Sequence, residues 1–188
     1  MKSIAEIEIT PTNIVLNGKR LATAETGSKM LHDAYRRYVN DYPKFFKMDG
    51  LCKLGFIASE LLLKSLDEER FVIREDRAVV LYNHSGSIEA DHHYQSTISD
   101  TENFFPSPSV FVYTLPNIVT GEIAIRNKYV GETSFHVLDH FDEEMLRKMI
   151  EAAFMDDCTT SILTGWVDYY DHSHFEASMK LINNINKT

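Results

Sequence analysis

Pro106-Ser107-Pro108-Ser109-Val110-Phe111, Thr114-Leu115-Pro116-Asn117 and Gly121-Glu122-Ile123-Ala124-Ile125-Arg126 share one stretch of chain, with Gly131 shortly after and Gly165-Trp166-Val167-Asp168 beyond it. The pattern predicts a helix over about 115–128, with Pro116 in its first turn, where a missing N–H costs nothing. Ser134–Val137 reads as a strand. Asp142 caps a helix reaching about Phe154, with Glu143 and Glu144 at its positive end. Thr160–Thr164 reads as a buried strand leading into Gly165.

That order and spacing resemble the β-ketoacyl synthase branch of the thiolase-like family. There, a "P-x-x-F-x-x-T-L-P-N-x-x-x-G-x-I-A-I" helix leads through "R-G" into a strand that delivers a nucleophilic Cys, and "G-G-V-D" follows one helix later. A "K-M-D-x-x-x-K-L-x-x-x-A" helix of the same family is similar to the segment from Lys47, so the resemblance runs from Lys47 to Asp168. Counted without gaps from Gly131, the Cys position falls on His140, within Val137-Leu138-Asp139-His140-Phe141. The "H-G-T-G" and "G-x-N" regions of the family's second half are also missing. The resemblance therefore implies an α/β fold, one three-layer α/β/α half of a thiolase-like molecule, with a mixed sheet of about five strands. It implies strands 78–82, 134–138 and 160–166 in one sheet and helix 142–154 against it.

That helix carries a physical detail of its own. Met145, Leu146, Met149, Ile150, Ala153 and Phe154 form one stripe. Glu143, Glu144, Arg147, Lys148 and Glu151 form the other, with Glu143–Arg147 and Glu144–Lys148 at i,i+4 spacing. A helix polar on one side is covered on one side only, as expected of the N-terminal half standing alone.

Upstream, Ala5, Ile7 and Ile9 alternate with charges, predicting an edge or half-buried strand. Thr12–Leu16 and Lys19–Ala22 flank Asn17-Gly18, a pair suited to a type I′ hairpin turn. A helix over about 28–39 ends at Asp41-Tyr42-Pro43. Met48-Asp49 opens a strong helix through Leu66 with Leu51, Leu54, Ile57, Ala58, Leu61 and Leu62 as its stripe. Ala78–Tyr82 is a strand, and the polar stretch 84–109 reads as a long loop. Ser173-His174-Phe175-Glu176 reads as a capping box opening a last helix to about Ile185.

The chain of 188 residues is read as one domain, 1–188, with enough length for a real core. No apolar run approaches a membrane span, and Met1–Ile7 alternates where a signal peptide would be apolar. Two cysteines, Cys52 and Cys158, make no disulfide framework and suit a reduced cytoplasm. On that reading the sequons at Asn83 and Asn186 are chance matches. A net charge of −9 argues against nucleic acid. Residues 19–53 nonetheless carry net +4, leaving −13 elsewhere. That segment is either a solvated helix face or a patch for an acidic partner.

Candidate catalytic residues are few. Asp139 and His140 stand at the nucleophile's position, and a His beside a carboxylate can act as a base. On a strand, however, neighbours point to opposite faces. Cys158 reads as a small buried residue. His92-His93, and Asp171 with His172 and His174, lack the spacing of a metal site, so no metal and no cofactor are expected. Asn83-His84-Ser85-Gly86-Ser87 lacks the Lys-Ser/Thr of a phosphate loop.

The resemblance implies a catalytically degenerate synthase-like protein, without condensing activity of its own. It would be an accessory subunit in fatty-acid, polyketide or aryl-polyene-type biosynthesis, working beside a ketosynthase-like subunit and an acyl carrier protein. The chain-length factors of type II polyketide systems, which keep the fold without the Cys, are the precedent. Two alternatives stand: an acyltransferase whose site is completed by another residue or a second chain, and a homodimeric acyl-chain or carrier-protein binder. A dimer, homotypic or with a ketosynthase-like partner, is expected to be joined through residues 133–138 and the helix beginning near Leu115.

Overall fold

The computed structural model describes residues 1–102 and 104–184. Its spine is one seven-stranded mixed sheet in the order β3-β2-β1-β7-β6-β4-β5. The strands are β1 (Lys2–Thr10), β2 (Asn13–Leu16), β3 (Lys19–Arg20), β4 (Arg77–Asn83), β5 (Thr133–Val137), β6 (Ser161–Asp171) and β7 (His174–Asn183). The helices are α1 (Ser28–Ala34), α2 (Gly50–Lys64), α3 (Ile88–Ile98), α4 (Pro108–Phe111), α5 (Ile118–Asn127) and α6 (Glu143–Ala153). β4 runs parallel to both β5 and β6, so the three strands expected together are neighbours. The remaining pairings, β1 with β2 and β7, β2 with β3 and β6 with β7, are antiparallel.

The sheet has seven strands where about five were expected. One of the additions is a correction: 174–183 is strand β7, not a helix. Phe175, Ala177, Met179 and Leu181 are buried and their neighbours exposed, a period of two that places one face of a strand on a core. Ser173 and Glu176 had only the spacing of a capping box. The expected helix end near Ile185 lies outside the described residues, as does Asn186.

Three other boundaries differ, and a fourth element, the helical run 28–39, keeps its expected span in two parts. The stretch 84–109 contains α3 and α4. α3 buries only Ala90 completely, so no apolar period marks it in the sequence. α5 begins at Ile118, after a 3-10 turn at Val112–Thr114, and Leu115 is extended, as a residue before proline prefers. Pro116 therefore lies in the turn before the helix. α1 continues as a π turn over Tyr35–Val39 and stops at Asn40 in the left-handed conformation. β6 runs well past Thr164, to Asp171. The hairpin turn has the expected geometry, with φ of 49° at Asn17 and 75° at Gly18.

The layers are unequal. α1, α2 and α5 pack one face over Ile7, Ile9, Val79, Leu81, Leu163, Val167 and Met179. α6 alone covers part of the other, placing Leu146, Ala153 and Phe154 on Ala78, Val80, Tyr82, Ile162 and Trp166. Asp142 caps α6 by accepting the Met145 N–H at 3.0 Å. Of the expected surface pairs, Lys148–Glu144 forms at 2.8 Å, whereas Arg147 turns to Glu151 instead of Glu143.

Candidate functional site

The residues of the diagnostic stretch have structural duties that can be named. Asp49 caps α2, its Oδ1 accepting the Cys52 N–H at 3.0 Å. Asp168 accepts the Ser85 N–H at 2.9 Å and so holds the turn after β4 against β6. Gly165 is needed because a Cβ there would lie 2.1 Å from the Ser178 carbonyl oxygen of β7. The turn that could be mistaken for a phosphate loop uses its own groups. Asn83 Oδ1 accepts the Gly86 N–H at 3.0 Å and its amide donates to the Gly86 carbonyl at 2.7 Å. Asn83 is fully buried, which closes that sequon to a glycan.

Asp139 and His140, the candidates singled out from the sequence, lie between β5 and α6. β5 has ended at Val137, so Asp139 and His140 are not constrained to opposite faces, and Nδ1 of His140 lies 3.4 Å from Asp139 Oδ2. Their side chains are 97% and 73% exposed, respectively, which leaves the pair in solvent. Phe141 follows and meets Trp166 edge-on at 5.5 Å. These two rings, with Leu146, Tyr82 and Thr164, line a cavity of about 350 Å³ under the start of α6. Burial pushes the Tyr82 hydroxyl up to about 12.

The remaining candidates are dispersed. His92 and His93 lie on α3, and Asp171, His172 and His174 at the β6–β7 turn, where His174 Nδ1 is 2.9 Å from Asp171 Oδ1. Among the described residues no three His, Cys, Asp or Glu side chains come together as a metal site would need. Cys158 is exposed, contrary to the expectation of a buried residue, because it sits in the bend before β6. The buried thiol is Cys52, pushed well up by its burial.

A larger cavity of about 1000 Å³ opens on the thick side, between α1, the N-terminus of α2, α3 and α5. Lys44 Nζ bonds Glu122 Oε1 there at 2.6 Å. Burial lowers Lys53 and raises Asp49, while the Asp49 and Glu89 charges act on Lys53 in the opposite sense. Burial also pushes Tyr113 up to about 12. Sequence reasoning placed Lys44, Lys47, Lys53 and Asp49 in a charged patch but missed Glu122. Its signal was available: a carboxylate among the apolar residues Val119, Ile123 and Ala124 of one helix.

Comparison with solved structures places this architecture in a known class. The ishigamide ketosynthase/chain length factor aligns over 99% of this chain and 62% of that one, with a TM-score of 0.70 at 16% sequence identity. The chain thus spans less than two thirds of that relative's length. The ketosynthase ApeO in complex with its chain length factor ApeC, from Xenorhabdus doucetiae, aligns over 97% of this chain and 78% of that one, with a TM-score of 0.60 at 11% identity. No protein-family model matches the sequence, and no curated protein matches it. The fold is the one that the motif implied, shared with these ketosynthase/chain length factor structures. No helix among the described residues is long and apolar enough to cross a membrane.

Proposed function

We propose that this protein is a catalytically degenerate β-ketoacyl synthase-like subunit. It acts beside a ketosynthase-like partner, with an acyl carrier protein, in polyketide, fatty-acid or aryl-polyene-type biosynthesis. The observation that carries the reading is the place of β5. This strand pairs with β4 on one side and forms the end of the sheet on the other. An open edge invites another strand, and it lies directly before His140. Phe104, Phe105, Phe111 and Leu115 of the preceding stretch are exposed apolar side chains, as an interaction surface would supply. The fold shared with ketosynthase/chain length factor proteins supports the choice of partner.

Two experiments test this. Sedimentation at micromolar concentration, alone and with a co-expressed ketosynthase, is expected to give a dimer. Phe135→Pro removes a backbone donor and should weaken it. Val137→Lys puts a charge on the same edge at a residue already exposed, so its effect is separable from misfolding. A wild-type chain monomeric in both settings refutes the association. Incubation with acyl thioesters should leave the intact mass unchanged. A stable acyl adduct abolished by His140→Ala or Cys158→Ala would instead make the chain an acyltransferase.

A further inference from the structure

We propose that the large cavity between α1, α2, α3 and α5 is a binding site for a small carboxylic acid that also carries a hydroxyl or amino group. The case rests on which charged groups there already have partners and which do not. Asp49 is engaged at the α2 N-terminus by the Cys52 N–H. Glu89 Oε2 accepts the Gly50 N–H at 3.4 Å. Asp171 accepts the Ser173 and His174 backbone N–H groups at 2.7 and 2.9 Å. Lys44 is held by Glu122 Oε1.

Lys47, also on the lining, is exposed to solvent, and two functions withdrawn from open solvent are left over. Glu122 is 5% exposed, and its second oxygen, Oε2, is buried without a hydrogen-bond partner. A buried acceptor in that state costs free energy, which a ligand donor would recover once the Glu122 carboxylate turned Oε2 into the cavity. Lys53 lines the same cavity, and its ammonium makes no hydrogen bond or ion pair with any described residue. Its half-buried setting strengthens attraction to an anion relative to open water. One idle acceptor and one idle cation in one cavity are complementary to a donor and a carboxylate in one molecule. Leu31, Met48, Val110 and Val112 supply apolar wall for its carbon skeleton. The site lies on the thick side of the sheet, on the opposite face from α6, and is distinct from the His140 position and the β5 edge.

Calorimetric titration of the full chain tests this with four probes: 2-hydroxyisocaproate, leucine, isocaproate and isoamyl alcohol. The first two carry both functions, the third lacks the donor, and the fourth lacks the carboxylate. At least one bifunctional probe should bind saturably, roughly tenfold or more tighter than either monofunctional one. Which of the two binds identifies the donor. Lys53→Met should weaken that probe by a similar factor, and Glu122→Gln should erase its advantage over isocaproate. Thermal unfolding of each variant shows whether it is folded. No saturable binding of either bifunctional probe at millimolar concentration overturns the proposal. So does binding that a folded Lys53→Met variant leaves unchanged.

Discussion

The two faces of the sheet solve the burial problem differently. On one, α2 is buried around most of its circumference, including Gly50, Leu54, Phe56, Ser59, Glu60 and Leu63. Such a helix must provide for its own polar groups. The Ser59 hydroxyl donates to the Phe56 carbonyl at 2.9 Å, and Glu60 binds Arg70 at 2.5 Å and Arg126 at 3.2 Å. On the other face α6 buries only Leu146 and Ala153, neither of them fully, and turns charged residues outward. The thick face is a core between layers, and the thin one is a single amphipathic helix laid on a sheet. Stability should reside on the first.

Truncation of one core side chain on each side separates the two faces. Phe56 is fully buried, and Phe56→Ala should cost about 3–5 kcal/mol. Leu146 retains 9% exposure on a helix with few neighbours, so Leu146→Ala should cost nearer about 2 kcal/mol. Urea denaturation measures both. Equal costs would mean that the α6 layer is as integral to folding as α2.

Two carboxylates sharpen the comparison through pH. The Arg74 guanidinium grips Asp76 at 2.9 and 3.0 Å and the Thr160 hydroxyl donates to it at 2.5 Å, holding its carboxyl well below the usual range. Its folded value is depressed, so its contribution is full above the unfolded value of about 3.9 and is lost as pH falls towards the folded one. Asp49 is raised by burial, so its sign is opposite: the folded state holds this proton more readily, and stability falls as pH rises through the folded value. Asp76→Asn should therefore destabilise at neutral pH and flatten the acid limb of a stability–pH curve. Asp49→Asn keeps an N-cap acceptor and removes a buried charge, so it should leave neutral stability equal or higher. A loss at Asp49 as large as that at Asp76 would show that the cap needs the charge.

What could be read in advance follows the same division. α6 was legible because it presents an unmixed period, α2 by its apolar stripe and β4 as a short apolar run, and the resemblance placed strands 78–82, 134–138 and 160–166 in one sheet. α3 was hidden because its sides are nearly all polar. β7 was hidden because Ser173 and Glu176 offered a local helix signal, while the true signal, alternation at Phe175, Ala177, Met179 and Leu181, needed the sheet beside it. The site was harder. Counting from Gly131 singles out His140 but says nothing of its exposure, which is 73%. Lys53 of α2 and Glu122 of α5 line one cavity, a relation that no local pattern encodes.

The smallest effect belongs to the outer face of α6. Lys148–Glu144 and Arg147–Glu151 are i,i+4 pairs with side chains 47–67% exposed. Solvent screens such charges and side-chain entropy opposes their pairing. Each should contribute at most about 0.5 kcal/mol, so Lys148→Ala should shift the unfolding midpoint barely at all. Alanine's high helix propensity offsets part of even that loss. Raising salt to molar concentration should then reduce the difference between wild type and variant further, since the screening length contracts to about 3 Å. A loss comparable to Leu146→Ala, insensitive to salt, would mean that this charged face is buried against something in solution. The description of α6 as a helix covered on one side only would then fail.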